Sequence, residues 1–334
     1  MKKIAIIGGG SWGTALALIL SRSRRPHSLS LWVHDSELGA LVRKTRENSV
    51  YLPGFKLPAE VDVTSDIADA LTGAEIVVGA IPSAHARDIY KSIRPHLSPG
   101  TTIVSATKGI DHSSLFRMTE VIEEVFSARP TLGVAVLSGP SFAIEVARGD
   151  PTAVVIASQD SALATEIQEE FAGANFRLYS NDDVIGVELG GAVKNIIAIA
   201  AGVCAGLGLG ANTTAALMTR GLAEMTRLAV ALGGQGDTMA GLAGIGDLVL
   251  TCTGALSRNR AVGIELGKGH SIKEILSTTR MVAEGVGTTS ATRDLARRAA
   301  IEMPITEQMY AVLYDHRPPK EAIRELMERR LKSE

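Results

Sequence analysis

The residue of this sequence best suited to proton transfer is Lys194. It is the only charged residue between Glu188 and Arg220, in a stretch that is otherwise almost wholly apolar or small. A buried amine is costly unless it is paired or neutralised. If the stretch is a helix, Gly190 and Gly191 lie one turn before Lys194 on its face and are expected to leave open space for a small molecule. The pattern therefore indicates an acid/base in a closed site.

Two structural interpretations compete with catalysis at Lys194. A single lysine on a helix often extends its ammonium group to water. A long apolar run can also cross a membrane. Lys194, Asn195 and four nearby glycines count against a membrane span, so a helix over Val184–Ala205 in a protein core is the expectation.

A glycine motif at the start of the chain predicts a dinucleotide site. The apolar run Lys2–Ile7 is followed by the sequence GGGSWG and then by a helical pattern. In the arrangement strand, G-x-G-x-x-G, helix, Gly8 permits the tight turn and Gly10 lets the backbone approach a pyrophosphate. Gly13 lets the helix pack close to the strand, and the helix N-terminus supplies amides to the phosphates.

Further apolar runs extend this α/β pattern and then stop. Beyond about residue 182 strand signals disappear and helical periodicity takes over. The predicted fold is an α/β Rossmann-like N-terminal domain with a parallel sheet over residues 1–182, and an all-α C-terminal domain over residues 183–334. The expected strands include Leu29–His34, Glu75–Ile81, Thr102–Ala106 and Gly133–Leu137.

Two polar segments follow these strands at their carboxyl ends, where ligands collect in open α/β sheets. Lys108 follows Thr102–Ala106, and the turn SGPSFA follows Gly133–Leu137. A solvated loop lysine is an equally weighted alternative for Lys108. We expect the active site in the cleft between the two domains.

The tip of the second strand bears on cofactor choice. A strictly NAD-binding domain often has an acid there for the ribose hydroxyl. Here His34 precedes Asp35, and Arg43, Lys44 and Arg46 follow nearby. We interpret this as tolerance of NADP, the alternative being that His34 is an exposed loop histidine.

The helical half contains a candidate anion site. Ser257, Arg258 and Asn259 precede a helix predicted over Ala261–Gly267, where a guanidinium and backbone amides can hold a phosphate. On these residues alone, a capping serine with surface arginines is the better supported interpretation.

Three more local features of this half are predicted. Gly241–Gly246 is expected to form a loop before Asp247, and Val282–Gly285 another loop. Asn212 is expected to cap the helix that follows it.

Composition narrows the class of protein. The chain has 334 residues and a net charge of −2, which gives no indication of nucleic-acid or acidic-membrane binding. The start of the chain does not resemble a signal peptide. Cys204 and Cys252 form no metal-type cluster, so we expect no metal and a cytoplasmic location.

Several motifs in this order and spacing resemble the bacterial-type NAD(P)-dependent glycerol-3-phosphate dehydrogenases, from Lys3 to about Leu313. The turn SGPSFA favours the bacterial branch. The motifs are GGGSWGTALA, NSVYLPG, TKGI, SGPSFAIEVARG, ELGGAVKN, GLGLGAN, TRGLAEM, GIGDLVLTC, SRNR, VAEG and EMPIT.

The resemblance implies residue roles. Lys194 is the general acid/base, Lys108 polarises the carbonyl, Asp247 orients Lys194 or a substrate hydroxyl, and Thr251 assists. The implied substrate contacts are Lys108, Gly139, Ser141, Lys194, Asp247, Ser257, Arg258 and Asn259. The implied cofactor contacts are Gly8, Gly10, Ser11, Trp12, Gly13, His34, Lys108, Ala143, Arg258, Val282 and Glu284.

The implied activity is an oxidoreductase that reduces dihydroxyacetone phosphate to sn-glycerol 3-phosphate with NADH or NADPH, for glycerophospholipid metabolism and phospholipid and lipid biosynthesis. The resemblance also implies a homodimer. A free lysine titrates near 10.4, and an apolar pocket and a second cation, Lys108, are expected to lower the pKa of Lys194. The alternatives are another β-hydroxyacid dehydrogenase-like enzyme and a non-catalytic dinucleotide sensor.

Overall fold

The computed structural model describes residues 1–127, 132–278 and 283–330. Backbone contacts divide the chain into two compact units. The first consists of Met1–Asp111 with Phe116–Glu188, and the second of His112–Leu115 with Leu189–Glu334. The division after Glu188 falls within one continuous helix, Val184–Gly206.

The first unit is built on a mixed sheet with helices on both faces. Its strand order is β3-β2-β1-β4-β5-β6-β7-β8, and the first six of these positions have the order typical of dinucleotide-binding sheets. The strands are β1 (Lys2–Ile7), β2 (His27–Trp32), β3 (Val61–Thr64), β4 (Ile76–Gly79), β5 (Thr102–Ser105), β6 (Gly133–Ser138), β7 (Thr152–Ala157) and β8 (Phe176–Asn181).

Helices cover both faces of this sheet, as a parallel sheet requires. Ile4 and Ile6 of β1 belong to one hydrophobic cluster, while Ala5 and Ile7 belong to the other. The alternation buries both faces and explains why the strands read as continuous apolar runs. The helices are α1 (Ser11–Leu20), α2 (Ser36–Thr45), α3 (Ile67–Leu71), α4 (Ser83–Ile93), α5 (Met118–Val125), α6 (Ala143–Arg148) and α7 (Ser161–Phe171), with a 3-10 turn at Arg94–His96.

The Rossmann-like prediction is confirmed, but β7 pairs antiparallel with β6, and β8 then runs parallel to β7. The short helix α6 is the reason. At 1.5 Å per residue its six residues span about 9 Å, whereas the six residues of β6 span about 20 Å. The helix alone therefore does not carry the chain back to the start of β6, and α6 ends at Gly149, which has a φ of +93°.

The second strand lies two residues earlier than predicted. The parallel register pairs Lys2 with His27 and Ile7 with Trp32, so β2 ends where β1 ends. His34 lies beyond the strand and is exposed.

The second unit is helical, which confirms the all-α prediction for this half. Its longest helix, Val184–Gly206, is apolar enough to span a membrane, but 94% of that window is buried inside the protein. It is the core helix of this unit. The helices are α8 (Val184–Gly206), α9 (Ala211–Ala231), α10 (Gly236–Met239), α11 (Asp247–Thr253), α12 (Arg258–Gly267), α13 (Ile272–Thr278), α14 (Glu284–Arg298), α15 (Pro304–Tyr314) and α16 (Pro319–Met327).

Two glycine pairs set α12 directly against α8. A Cβ on Gly263 would collide with the carbonyl oxygen of Ile199, and a Cβ on Gly202 would collide with the carbonyl oxygen of Arg260. Gly206 and Gly267, one turn further along each helix, repeat the contact. The two backbones therefore touch, which fixes where α12 begins relative to α8.

Several boundaries differ from the sequence predictions. Asn212 does not cap α9, because Gly210 holds the cap position and no side chain caps that helix. Helix α12 begins at Arg258 rather than Ala261. The expected loop Val282–Gly285 is helical from Glu284 onward, and Val282 lies outside the described residues.

Candidate active site

Lys194, Asp247 and Thr251 form a buried polar cluster in the second unit. The Lys194 Nζ lies 2.9 Å from Asp247 Oδ1 and donates a hydrogen bond of 2.6 Å to Thr251 Oγ1. All three residues are no more than 5% exposed. The lysine therefore does not extend to water, and the alternative of an exposed ammonium group is wrong.

Thr251 links the other two residues. Its Oγ1 lies 2.6 Å from the backbone carbonyl oxygen of Asp247, one turn earlier in α11, and 3.3 Å from the Asp247 carboxylate. The hydroxyl hydrogen is donated to Asp247, so a lone pair of the oxygen remains for the ammonium of Lys194. This arrangement fixes the position of the lysine nitrogen.

A π-helix positions Asp247. The segment Leu242–Gly246 is not the predicted loop but a π-helix, with Gly246 N donating to Gly241 O at 3.1 Å. Such wide turns often occur at functional sites. A Cβ on Gly190 would lie 2.5 Å from the carbonyl oxygen of Ala243, so the π-helix packs directly on α8 one turn before Lys194.

This packing corrects one sequence expectation. The space beside Gly190 is filled by the backbone of the π-helix and is not open to a small molecule. The glycine instead permits a close approach that brings Asp247 next to Lys194. Periodicity along one helix could not reveal this, because the partner lies about fifty residues away in sequence.

The candidate phosphate residues lie at the start of α12. Ser257 is buried, and its hydroxyl accepts a hydrogen bond from Arg260 N at 3.2 Å, so it caps the helix. Arg258 is exposed and Asn259 is buried. The structure thus bears out the capping serine, while the exposed guanidinium and the helix N-terminus together remain able to hold a phosphate.

Asn259 also ties two helix starts together. Its Oδ1 accepts a hydrogen bond of 2.9 Å from Gly285 N, in the first turn of α14. The helix carries no cap of its own. Because the carboxamide oxygen is engaged in this way, the Nδ2 group of Asn259 is the part of the side chain that can donate to a ligand. Glu284, the residue before Gly285, is held half-buried at this point.

In the first unit the glycine motif has the geometry that the sequence predicted. Gly8 has a φ of +125°, and a Cβ on Gly13 would collide with the carbonyl oxygen of Gly8. A Cβ on Gly10, by contrast, would meet no atom within 4 Å. This open cradle at the N-terminus of α1 fits the pyrophosphate of a dinucleotide.

Two side chains at the start of α1 complete this cradle. Ser11 and Trp12 are half-buried in its first turn. The indole Nε1 of Trp12 is buried and has no hydrogen-bond partner among the described residues. A buried donor of this kind is normally paired, and a bound ligand would satisfy it.

Lys108, Gly139 and Ser141 come together in the first unit. The Lys108 Nζ donates to the carbonyl oxygen of Gly139 at 3.0 Å, and Ser141 Oγ donates to the same oxygen at 3.0 Å. Gly139 has a φ of +134°. Ala143 begins α6 directly after this turn. The structure thus brings the cation and the hydroxyl, which the sequence placed at two strand ends, to one carbonyl oxygen.

Three charged residues near His34 make hydrogen bonds within the protein. Asp35 caps α2 by accepting from Glu37 N at 2.9 Å and Leu38 N at 3.0 Å. Arg43 Nε donates to Val63 O at 2.7 Å. Arg46 likewise donates to backbone carbonyl oxygens, those of Leu57, Pro58 and Val61.

Sequence reasoning missed a buried carboxylate, Glu188. It accepts hydrogen bonds from Thr119 N at 2.8 Å, Thr119 Oγ1 at 2.6 Å and Arg117 Nη1 at 2.6 Å. Burial raises the pKa of Glu188, and the Arg117 guanidinium opposes this shift. The feature of the sequence that could have identified Glu188 is a carboxylate directly before an apolar run. Glu188 anchors α8 to the start of α5.

Two family models together match most of this chain. A family model described as the NAD-dependent glycerol-3-phosphate dehydrogenase N-terminus matches residues 3–164, and the model of the C-terminus matches residues 183–324. A glycerol-3-phosphate dehydrogenase [NAD(P)+] of Koribacter versatilis is 55% identical over 330 residues, with 98% of each chain covered.

Two further relatives agree with these matches. A protein with the same description from a Geobacter species is 52% identical, covering 100% of this chain and 99% of its own. The crystal structure of glycerol-3-phosphate dehydrogenase from Coxiella burnetii is 41% identical, with a TM-score of 0.93 and coverage of 98% of this chain and 99% of that chain.

Proposed function

Because this chain belongs to the NAD-dependent glycerol-3-phosphate dehydrogenase family, we propose that it reversibly interconverts dihydroxyacetone phosphate and sn-glycerol 3-phosphate with NAD(H) or NADP(H). The observation that carries the proposal is the buried cluster in which Lys194 contacts both Asp247 and Thr251. A lysine held in this way, out of water and beside a carboxylate, suits proton transfer to a substrate oxygen.

Lys194 is the proposed acid and base. In the reductive direction the carbonyl carbon gains a hydride and the carbonyl oxygen gains a proton, which gives a secondary alcohol. The bound nicotinamide supplies the hydride. Lys194 donates the proton from Nζ, and in the oxidative direction it removes the proton from the hydroxyl group. Asp247 and Thr251 hold Nζ in place during both steps.

The remaining residues bind and orient. Arg258, with Ser257 and Asn259, holds the substrate phosphate, whose binding energy orients the distant carbonyl group. Lys108 polarises that carbonyl, and Gly139 and Ser141 contact the substrate. The proposed cofactor contacts are Gly8, Gly10, Ser11, Trp12, Gly13, His34, Lys108, Ala143, Arg258, Val282 and Glu284.

We assign residues 1–182 to dinucleotide binding and residues 183–334 to catalysis, substrate binding and dimerisation. The enzyme acts in the cytoplasm as a homodimer and supplies sn-glycerol 3-phosphate for phospholipid biosynthesis. The open glycine turn in the first unit supports the assignment of dinucleotide binding, and the Lys194 cluster in the second unit supports the assignment of catalysis.

The test is the initial rate of dihydroxyacetone phosphate reduction, followed by loss of nicotinamide absorbance with NADH and NADPH in parallel. We expect rapid oxidation of the reduced cofactor only when the substrate carries its phosphate group, so unphosphorylated dihydroxyacetone serves as the matched control. Oxidation of members of a β-hydroxyacid panel with NAD+ or NADP+, read by gain of nicotinamide absorbance, in place of activity on dihydroxyacetone phosphate would indicate a different dehydrogenase. Cofactor binding without turnover on any substrate would indicate a dinucleotide sensor.

A further inference from the structure

A buried asparagine outside the glycine motif contacts that motif directly. Asn48 is 0% exposed. Its Nδ2 donates to the carbonyl oxygen of Gly9 at 2.8 Å and to Thr14 Oγ1 at 2.9 Å. Its Oδ1 accepts from Tyr51 N at 3.2 Å. All the hydrogen-bonding atoms of the side chain are therefore used, and both amide hydrogens point at the glycine turn or at α1.

The contact with Gly9 fixes the direction of a neighbouring amide. A peptide unit is planar and trans, so its C=O and N–H point in opposite directions. When Asn48 holds the Gly9 oxygen, the N–H of Gly10 must point away from Asn48. This is the amide at the open cradle, where the backbone can approach a phosphate.

The contact with Thr14 adds to the hydrogen bonds that hold the next peptide unit. The carbonyl oxygen of Gly10 accepts from Thr14 N at 3.0 Å and from Thr14 Oγ1 at 2.8 Å, and Asn48 in turn donates to that hydroxyl oxygen. The same geometry then directs the N–H of Ser11 outward at the first residue of α1. Neither Gly10 N nor Ser11 N donates to an acceptor elsewhere in the described parts of the chain.

Asn48 is itself held by a local turn. Its carbonyl oxygen accepts from Leu52 N at 2.8 Å, and Leu52 is buried. The preceding Glu47 accepts from Gly54 N at 2.9 Å. Within the segment NSVYLPG, Asn48 and Leu52 are buried and hydrogen-bonded while the residues between and after them are exposed or half-buried, and the buried contacts account for a motif that the proposed catalytic chemistry does not use.

We propose that Asn48 is a positioning residue for dinucleotide binding: it presets the Gly10 and Ser11 amides for the pyrophosphate. This inference rests on the proposed function. Preset amides bind an anion without first reorganising, so they increase affinity for it. The expected change is in the affinity for the cofactor, because the contacts of Asn48 lie on the glycine turn, α1 and its own segment.

The test compares Asn48→Leu, which keeps the size but removes both donors, with Asn175→Leu. Asn175 donates to the carbonyl oxygen of Gly149 at the same 2.8 Å but lies away from the motif. We expect Asn48→Leu to raise the Kd for NADH and for ADP-ribose about 10- to 100-fold. The kcat at saturating NADH and the KM for dihydroxyacetone phosphate should stay within about twofold, and Asn175→Leu should match the wild type.

A second variant keeps the proposal testable if Asn48→Leu does not fold. Thr14→Val removes the acceptor for Asn48 and the side-chain hydrogen bond to the Gly10 oxygen, while the backbone bond from Thr14 N to that oxygen remains, and it should raise the same Kd values in the same direction. Unchanged Kd values in both folded variants would overturn the proposal, as would an equal loss in Asn175→Leu. If wild-type protein binds NADH but does not reduce dihydroxyacetone phosphate, the proposed function fails while the Kd comparison still decides the role of Asn48.

Discussion

The ammonium nitrogen of Lys194 lies 2.9 Å from a carboxylate oxygen of Asp247, and both side chains are almost fully buried. Burial favours the neutral amine, whereas the neighbouring carboxylate favours the charged ammonium. The two effects oppose each other, which suits a group that must both donate and accept a proton. The sequence predicted the burial and a second cation, Lys108, which both favour the neutral amine, and the resemblance gave Asp247 only the role of orienting Lys194 or a substrate hydroxyl.

Thr251 should contribute to catalysis through its hydroxyl group rather than through the shape of its side chain. Thr251→Val removes the acceptor of the 2.6 Å hydrogen bond from Lys194 and should lower kcat about 10- to 100-fold, with the Kd for NADH unchanged. Thr251→Ser should retain most activity. Thr253→Val is the control, because Thr253 also donates to a carbonyl oxygen one turn earlier but is exposed. Equal kcat values for the three variants would contradict this role.

The contact between α8 and α12 should be sensitive to a single methyl group. Gly263→Ala places a Cβ against the carbonyl oxygen of Ile199 and should reduce the free energy of unfolding by about 1–3 kcal/mol. The displaced start of α12 should also raise the KM for dihydroxyacetone phosphate. Denaturant unfolding and steady-state kinetics measure both effects. Gly236→Ala, where a Cβ makes ordinary contacts of 3.8 Å or more, should change neither.

Glu224 should make stability depend on pH. It is buried in α9 and accepts from Ile305 N at 2.7 Å and Thr306 N at 3.3 Å, so it caps the start of α15. Burial raises the pKa of Glu224 from 4.5 to about 7, against the opposing effect of these hydrogen bonds. Between these values the folded state holds a proton that the unfolded state has lost, so stability should fall as pH rises from 4.5 through 7.

The measurement for Glu224 is the melting temperature between pH 4.5 and 8. Glu224→Gln cannot ionise, so its melting temperature should fall less over this range than that of the wild type. Glu60→Gln, at an exposed position, is the control and should follow the wild type. If the melting temperature of Glu224→Gln fell with pH as steeply as that of the wild type, another group would be responsible for the pH dependence.

Arg258 should contribute mainly to binding the phosphate group of the substrate. Arg258→Ala removes an exposed guanidinium at the first residue of α12 and should raise the KM for dihydroxyacetone phosphate about 10- to 100-fold. The Kd for NADH should rise by much less. Arg298→Ala removes an exposed arginine at the end of α14 and should leave both constants unchanged. A larger effect on the Kd for NADH than on the KM for dihydroxyacetone phosphate would contradict a main role of Arg258 at the phosphate.

Local patterns in the sequence predicted much of this molecule. The glycine turn before α1 and the apolar helix around Lys194 follow from residues close together in the chain, so both were predictable. The placement of Lys108 at a strand end followed from a general property of parallel sheets.

Non-local contacts were not predictable in the same way. The π-helix Leu242–Gly246 reads as a glycine-rich loop, because only its packing on Gly190 reveals its form. Asn48 reads as a polar loop residue until its contact with Gly9 is seen. In both cases the deciding partner lies about forty to fifty residues away, and no local periodicity encodes it.

The most direct test of the proposed chemistry is kcat for dihydroxyacetone phosphate reduction in Lys194→Ala and Lys194→Arg. Arginine keeps a positive charge beside Asp247 but cannot release a proton at neutral pH. Both variants should lose about 100- to 10,000-fold in kcat while NADH binding survives, and Lys268→Ala, at an exposed position, should keep wild-type kcat. A kcat within about tenfold of the wild type in either folded Lys194 variant would contradict Lys194 as the acid/base.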